Sequence, residues 1–180
     1  YHAVAIMRRL LGRHFEPTTV RANRFTAPLV TPYVWDRLQE DLSEQDRATT
    51  IATVDYGDAM GLYDFTDMQW FNPLRRRRLL VRGSRGEIEN DVAVRLVGDA
   101  IVESRFERRQ IGVGLNHEGF DLDHISFDGE LVFSNPFRGL RVSDEDIAGL
   151  FLLTGMANWV TGNGPAPYPL AAASQDHLIG

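Results

Sequence analysis

Between Ala48 and Ser134 the chain alternates stretches rich in Thr, Ile, Val and Phe with turns too short to hold a crossover. Ala48–Tyr56 passes through Gly57-Asp58 into Gly61–Phe71, Gly83-Ser84-Arg85-Gly86 separates Arg78–Arg82 from Glu87-Ile88, and Asp128-Gly129 leads into Glu130–Ser134. Strands joined at hairpin length run antiparallel, because a parallel return needs about a dozen residues or more. Val92, Val94 and Leu96 alternate with polar neighbours, and Ala100–Ile111 is a further extended run. Phe120 and Leu122 have one parity but Ile125 and Phe127 the other, which predicts a bulge or tight bend near Asp123-His124.

Helices flank this strand text. Ala3, Ile6, Met7 and Leu10 recur at helical spacing before Gly12, predicting a short amphipathic helix over residues 2–12. Thr18–Leu29 reads as extended, and residues 33–47 as an acidic surface excursion with a helical turn over Trp35–Leu42. Ser143-Asp144-Glu145-Asp146 forms a capping box that opens a helix to about Val160, apolar nearly all round and so expected to be buried nearly all round. Gly162–Pro169 is a loop and Leu170–Ile179 a last helix. The expected fold is α+β, a large open and mostly antiparallel sheet with helices packed on one face, in one domain over residues 1–180. Large apolar groups on both sides of Gly61–Phe71 (Tyr63, Phe65 and Phe71 against Leu62, Met68 and Trp70) predict that the uncovered face meets a second sheet or subunit.

Composition removes several chemistries. All 19 basic residues of the Lys and Arg class are arginine, so no Schiff base and no phosphate-loop lysine can form. Without cysteine there is no disulfide, thiolate metal site or thiol nucleophile. A net charge of -6 disfavours nucleic-acid and anionic-membrane surfaces, and the longest apolar run, Ile147–Val160, is broken by Gly149, Thr154, Gly155 and Asn158 before the roughly 20 residues a bilayer requires. The first helix opens without a capping residue and the chain starts on Tyr1 rather than Met, so the sequence reads as a piece whose partner lies upstream.

The residues offer few sites. Arg75-Arg76-Arg77-Arg78 reads as a solvated entry into a strand, pairing with some of the 25 carboxylates, although one arginine is free to face a pocket. Glu118, Asp121, Asp123, His124 and Asp128 lack the glycine and closing glutamate of a calcium loop, and Gly112-Val113-Gly114 lacks the third glycine of a dinucleotide fingerprint. Neither predicts a metal or cofactor. His14, His117, His124 and His177 read as surface residues. His2 differs, because an imidazole at the start of a helix suits proton exchange near neutral pH.

The order and spacing of several segments resemble the C-terminal domain of the Gfo/Idh/MocA oxidoreductases. They are Tyr1-His2 before a helix ending in Leu10-Leu11-Gly12; Gly61–Phe71 leading into Leu74–Asp91; Ser134-Asn135-Pro136-Phe137 before Leu140–Leu150; and Tyr168-Pro169-Leu170 with Gln175-Asp176-His177. The resemblance implies a substrate-side and oligomerisation domain, inactive without an upstream Rossmann domain that holds NAD or NADP. It implies His2 as the catalytic proton carrier, ten residues before Gly12, with Ala5 where the family pattern has Asp. The family's lysine would lie upstream. Tyr1, Gln69, Asn72 and Arg75 are the expected contacts to a sugar, cyclitol or other polyol, since amide and guanidinium donors suit hydroxyl groups. A cytoplasmic homo-oligomer joined through the open sheet face, without nucleic-acid or membrane partners, completes the expectation. The alternative is a non-enzymatic dimeric α+β binding or scaffold domain.

Overall fold

The computed structural model describes residues 2–34, 37–69, 72, 74–112 and 119–180, so expectations resting on Tyr1, Trp35, Trp70, Phe71, Val113, Gly114, His117 and Glu118 lie outside the described residues. The elements are α1 (His2–Leu10), β1 (Thr19–Leu29), β2 (Tyr33–Val34), β3 (Arg37–Leu38), β4 (Gln45–Asp55), β5 (Met60–Thr66), β6 (Leu80–Gly83), β7 (Gly86–Glu89), β8 (Val92–Val97), β9 (Ala100–Ile111), β10 (Asp121–Phe127), β11 (Glu130–Ser134), α2 (Asp144–Val160) and α3 (Leu170–Ile179). Every strand pairing among them is antiparallel, and the fold is α+β. No helix among the described residues is long and apolar enough to cross a membrane. The chain divides into two compact units, residues 1–77 with 168–180, and residues 78–167.

The first unit is a three-stranded sheet in the order β1-β4-β5 with α1 and α3 on one face. Strand alternation decides which side chains meet the helices. Val54 of β4 pairs with Gly61 of β5, and both point to the helical side, where Val54, Val4 of α1 and Ile179 of α3 form the buried core with Met7 and Tyr56 around it. Gly61 is what lets α1 come down onto β5, since a Cβ there would overlap the Met7 side chain. The opposite face carries Phe25, Ile51, Met60 and Leu62, all exposed, with Leu62 at 68%. Two expectations are corrected. Residues 37 and 38, expected in a helical turn, pair as β3 with β2. The strand expected to continue to Phe71 ends at Thr66, where Met68 takes a left-handed φ of 60° and the Gln69 amide bonds back to the Thr66 carbonyl.

The second unit is a six-stranded meander, β6-β7-β8-β9-β10-β11, in which every neighbour in sequence is a neighbour in space. The pairing of β10 with β9 shifts register between Leu122 and His124, the bulge that the parity change requires. Asp128 and Gly129 turn at φ 51° and 80°, which fits a tight hairpin between β10 and β11. One sheet face holds Ala93, Ser104, Phe106 and Phe127, the last two with ring centroids 4.7 Å apart. The other carries Glu87, Glu89, Glu103 and Arg105, laced by Arg82–Glu87 at 3.0 Å, Arg78–Glu89 at 2.8 Å and Arg105–Asp91 at 3.6 Å.

Helix α2 opens on the expected capping box: the Asp146 amide donates to Ser143 Oγ at 3.2 Å and the Ser143 amide to the Asp146 carboxylate at 3.0 Å. The expectation of all-round burial is overturned. Ile147 is its buried residue, and Phe151 meets Phe133 and Phe137 at 6.1 and 5.3 Å, whereas Leu152, Leu153, Met156, Trp159 and Val160 are exposed. Its apolar contacts to the sheet concentrate in the N-terminal half, and a helix's own hydropathy does not say what covers it. Replacing Ser143 by Ala should cost about 1 kcal/mol in urea denaturation followed by circular dichroism. The cap's hydrogen bonds hold the Asp146 carboxyl below its ordinary pKa. Its contribution is therefore complete above about pH 4 and fades as pH falls through the lowered value, so the wild-type advantage over Ser143→Ala should shrink by pH 3.

Candidate functional site

His2 is the first residue of α1 and is exposed. Six residues later, about 9 Å along the axis, the same helix is bolted down by Arg8. Its guanidinium is buried and donates to the Asp176 carboxylate of α3, to the Ala172 carbonyl at 3.3 Å and to the His14 carbonyl. The Tyr168 hydroxyl donates to the other Asp176 oxygen. Arg13, just beyond the helix, donates to Asp58 at 2.7 Å and holds that carboxyl below its usual range, while its guanidinium lies 5.9 Å from the Tyr56 ring. Burial raises the Tyr56 hydroxyl above its ordinary pKa, so the neutral phenol is retained. Segments from opposite ends of the chain thus fix the helix that carries His2.

A second polar cluster gathers three of the sequence candidates. Gln69 and Asn72 are 5% and 2% exposed. The Gln69 side-chain amide donates to Thr31 Oγ1 at 3.1 Å and to the Val30 carbonyl at 3.3 Å, while its carbonyl accepts from Asn72. Asn72 Nδ2 also reaches the Val30 carbonyl at 3.2 Å, and its Oδ1 accepts the Leu74 amide at 2.9 Å. Arg75 donates to Thr66 Oγ1 at 3.2 Å, and Thr66 and Thr49 join hydroxyls at 2.8 Å across the β4–β5 pair. Arg47 Nε donates to Thr31 Oγ1 at 3.3 Å. Thr31, Arg47, Thr49 and Thr66 were not among the sequence candidates. The i, i+2 repeat of Arg47 and Thr49 on one strand face was a signal for the pair, but only tertiary folding brings Thr31 to them.

The two clusters lie on opposite faces of the same sheet. Thr66 and Leu62 share a parity that Gly61 does not, so Thr66, Thr49 and Arg47 point away from α1. The structure therefore brings Gln69, Asn72 and Arg75 together and does not bring His2 to them; Tyr1 is outside the described residues. Most amide hydrogen-bonding capacity of Gln69 and Asn72 is consumed inside the network, which suits them to hold a loop in place. Of the arginine run, Arg78 pairs with Glu89 at 2.8 Å and Arg75 enters the network.

The remaining candidates are structural or solvated. His124 Nδ1 lies 2.7 Å from Asp123, which also accepts from Arg138 at 2.9 Å, and these contacts hold the Asp123 carboxyl below its ordinary pKa. Asn135 donates to the Leu122 carbonyl at 2.7 Å and accepts the Phe137 amide at 2.9 Å, tying the Ser134–Phe137 segment to the bulge. An open hollow of about 340 Å³ on the second unit is lined by Glu87, Glu89, Asp91 and Glu103 with Asn90, Val92 and Val94, but three of its carboxylates already pair with arginine. Among the described residues no group of three or more His, Asp and Glu is placed to hold a metal ion. The N-terminus of α2 is occupied by Ser143 and three acidic residues, which disfavours a dinucleotide phosphate there. Compared with known proteins, the chain matches no family model, no curated protein and no solved structure.

Proposed function

We propose that the chain is the substrate-side and assembly domain of an NAD(P)-dependent oxidoreductase acting on a sugar, cyclitol or related polyol, with His2 as the group that exchanges the substrate hydroxyl proton. The observation that carries this reading is the Arg8–Asp176–Tyr168 cluster. Two of the four segments on which the resemblance to Gfo/Idh/MocA oxidoreductases rests, residues 2–12 and residues 168–170 with 175–177, converge on one helix whose exposed tip is His2. A catalytic imidazole needs such anchoring, because proton transfer demands placement within hydrogen-bond reach of the reacting group. A nicotinamide held by an upstream domain would supply the hydride chemistry, and the part of this chain beside it would be the proton exchange at His2.

Homo-oligomerisation belongs to the same reading. Exposed Ile51, Met60 and Leu62 lie on the sheet face away from α1, toward the end remote from Arg47, the side expected to meet a second subunit. A monomeric mass by light scattering at micromolar concentration would remove this part.

The catalytic part is tested on the protein expressed from the full gene, assayed for NAD- and NADP-linked oxidation of a panel of polyols and sugars. His2→Ala should lower kcat about 100-fold or more with little change in KM. Unchanged turnover takes His2 out of the mechanism, and no nicotinamide-linked turnover by the wild type ends the dehydrogenase reading. One observation favours the alternative of a non-enzymatic binding or scaffold domain: the polar network around Gln69 and Asn72 lies on the sheet face away from the His2 helix. Polyol binding without turnover would support it.

A further inference from the structure

We infer that Arg47 and Arg75 form a binding site for the oxyanion of a small sugar acid or sugar phosphate, at the end of the three-stranded sheet on the face away from α1. The inference goes beyond the dehydrogenase reading and holds whether or not His2 moves a proton.

Each guanidinium group is tethered to a buried hydroxyl cluster, and backbone bonds from Gln69 to Thr66 (3.2 Å) and from Arg75 to Asn72 (3.0 Å) join the two clusters. Arg47 reaches Thr31 Oγ1 at 3.3 Å, and the same hydroxyl takes the Gln69 amide at 3.1 Å. Arg75 reaches Thr66 Oγ1 at 3.2 Å, and Thr66 joins Thr49 at 2.8 Å. Arg47 and Thr49 are two residues apart on one face of β4, about 7 Å along the strand. The two cations therefore belong to one small region of one face. Like charges held together disfavour each other unless an anion lies between them.

Among the described residues neither arginine pairs with a carboxylate, in a chain whose 25 acidic side chains outnumber its 19 basic ones. Arg47 leans on the Gln45 amide oxygen as well as on Thr31. Of the neighbouring acids, Asp67 pairs with Arg24 at 3.3 Å on the helical side of the sheet, and Asp64, on the same face two residues before Thr66, pairs with neither arginine. Each guanidinium keeps most of its five N–H donors outside the network, and Arg47 is half-buried and Arg75 exposed, so these donors are open to a ligand. Gln69 and Asn72 act as positioning residues that hold Thr31 and the segment leading to Arg75. Phe25 is 52% exposed and pairs directly with Thr49 on the same face, which gives a sugar ring an apolar surface beside the charge.

The test is titration calorimetry of the purified protein with inorganic phosphate, glucose 6-phosphate, glucuronate and neutral glucose. The anionic sugars should bind at least 10-fold tighter than glucose and weaken with added salt; whether glucose 6-phosphate or glucuronate binds better identifies phosphate or carboxylate as the preferred anion. Arg75→Gln and Arg47→Gln should each weaken the anionic sugar at least 10-fold, and Arg75→Lys should recover only part because it loses the planar fork. Arg76→Gln, one residue away, should change binding less than 2-fold. Because Arg47→Gln can loosen the fold, thermal melts accompany each variant, and the Arg75 series alone suffices for the decision. Equal affinity for glucose and the anions, or an Arg76→Gln loss as large as that of Arg75→Gln, overturns the site.

Discussion

Replacing Asp176 by Ala is expected to destabilise the protein by about 3–5 kcal/mol, the loss that follows when one partner of a buried ion pair is removed and the other stays behind. The side chains of Arg8 and Asp176 are 6% and 2% exposed. Without the carboxylate the Arg8 guanidinium keeps only the His14 and Ala172 carbonyls, neither of which carries a charge to balance it. The pair also joins α1 to α3, so the Val4–Val54–Ile179 core should loosen with it. Arg8→Met combined with Asp176→Leu should be less destabilised than Asp176→Ala alone, because no buried charge is then left uncompensated. Urea denaturation of the single and double variants measures this. Losses that simply add would show that the two residues are not coupled.

Gly86→Ala should cost about 2–6 kcal/mol and should act on the meander. Gly86 has φ 153°, a region costly for any residue with a Cβ, at about 1–3 kcal/mol. It pairs with Gly83 on one side and Arg95 on the other. A Cβ would enter the Val94 carbonyl oxygen and come within 2.8 Å of the Arg95 Cα, and backbone in the middle of a sheet yields only at a further cost of about 1–3 kcal/mol. Gly83→Ala at the other end of the same turn is the control: its Cβ meets nothing nearer than the Gly86 carbonyl at 3.9 Å, so a loss of no more than about 1 kcal/mol is expected. Equal losses at the two positions would sink the steric argument.

The strand text was legible because its signals are local. Turn residues and side-chain parity placed the antiparallel meander, the bulge beside Asp123 and the Ser143 cap, each of which depends on residues a few positions apart. Burial was not legible for α2, since its apolar composition carries no information about its neighbours. The end of β5 at Thr66 was missed for a similar reason: Met68 carries no glycine or proline to announce its left-handed turn. In the candidate sites the sequence named Gln69, Asn72 and Arg75 by chemical type but could not see that two of them spend their amides on each other and on Val30. Nor could it see Thr31 and Arg47, whose partners lie 38 and 16 residues away.

The division into residues 1–77 with 168–180 and residues 78–167 sets an order of events during synthesis. All partners within the meander unit lie in one contiguous stretch, so that unit can close as soon as it leaves the ribosome. The first unit waits: Arg8 is made 168 residues before its partner Asp176. Until then a buried-type arginine and the Val54 core stand open, while the entropic charge for so long a closure grows only logarithmically. Helix α3 therefore acts as the latch of the first unit, and a released chain truncated before Leu170 should hold a folded meander and an unfinished three-stranded sheet.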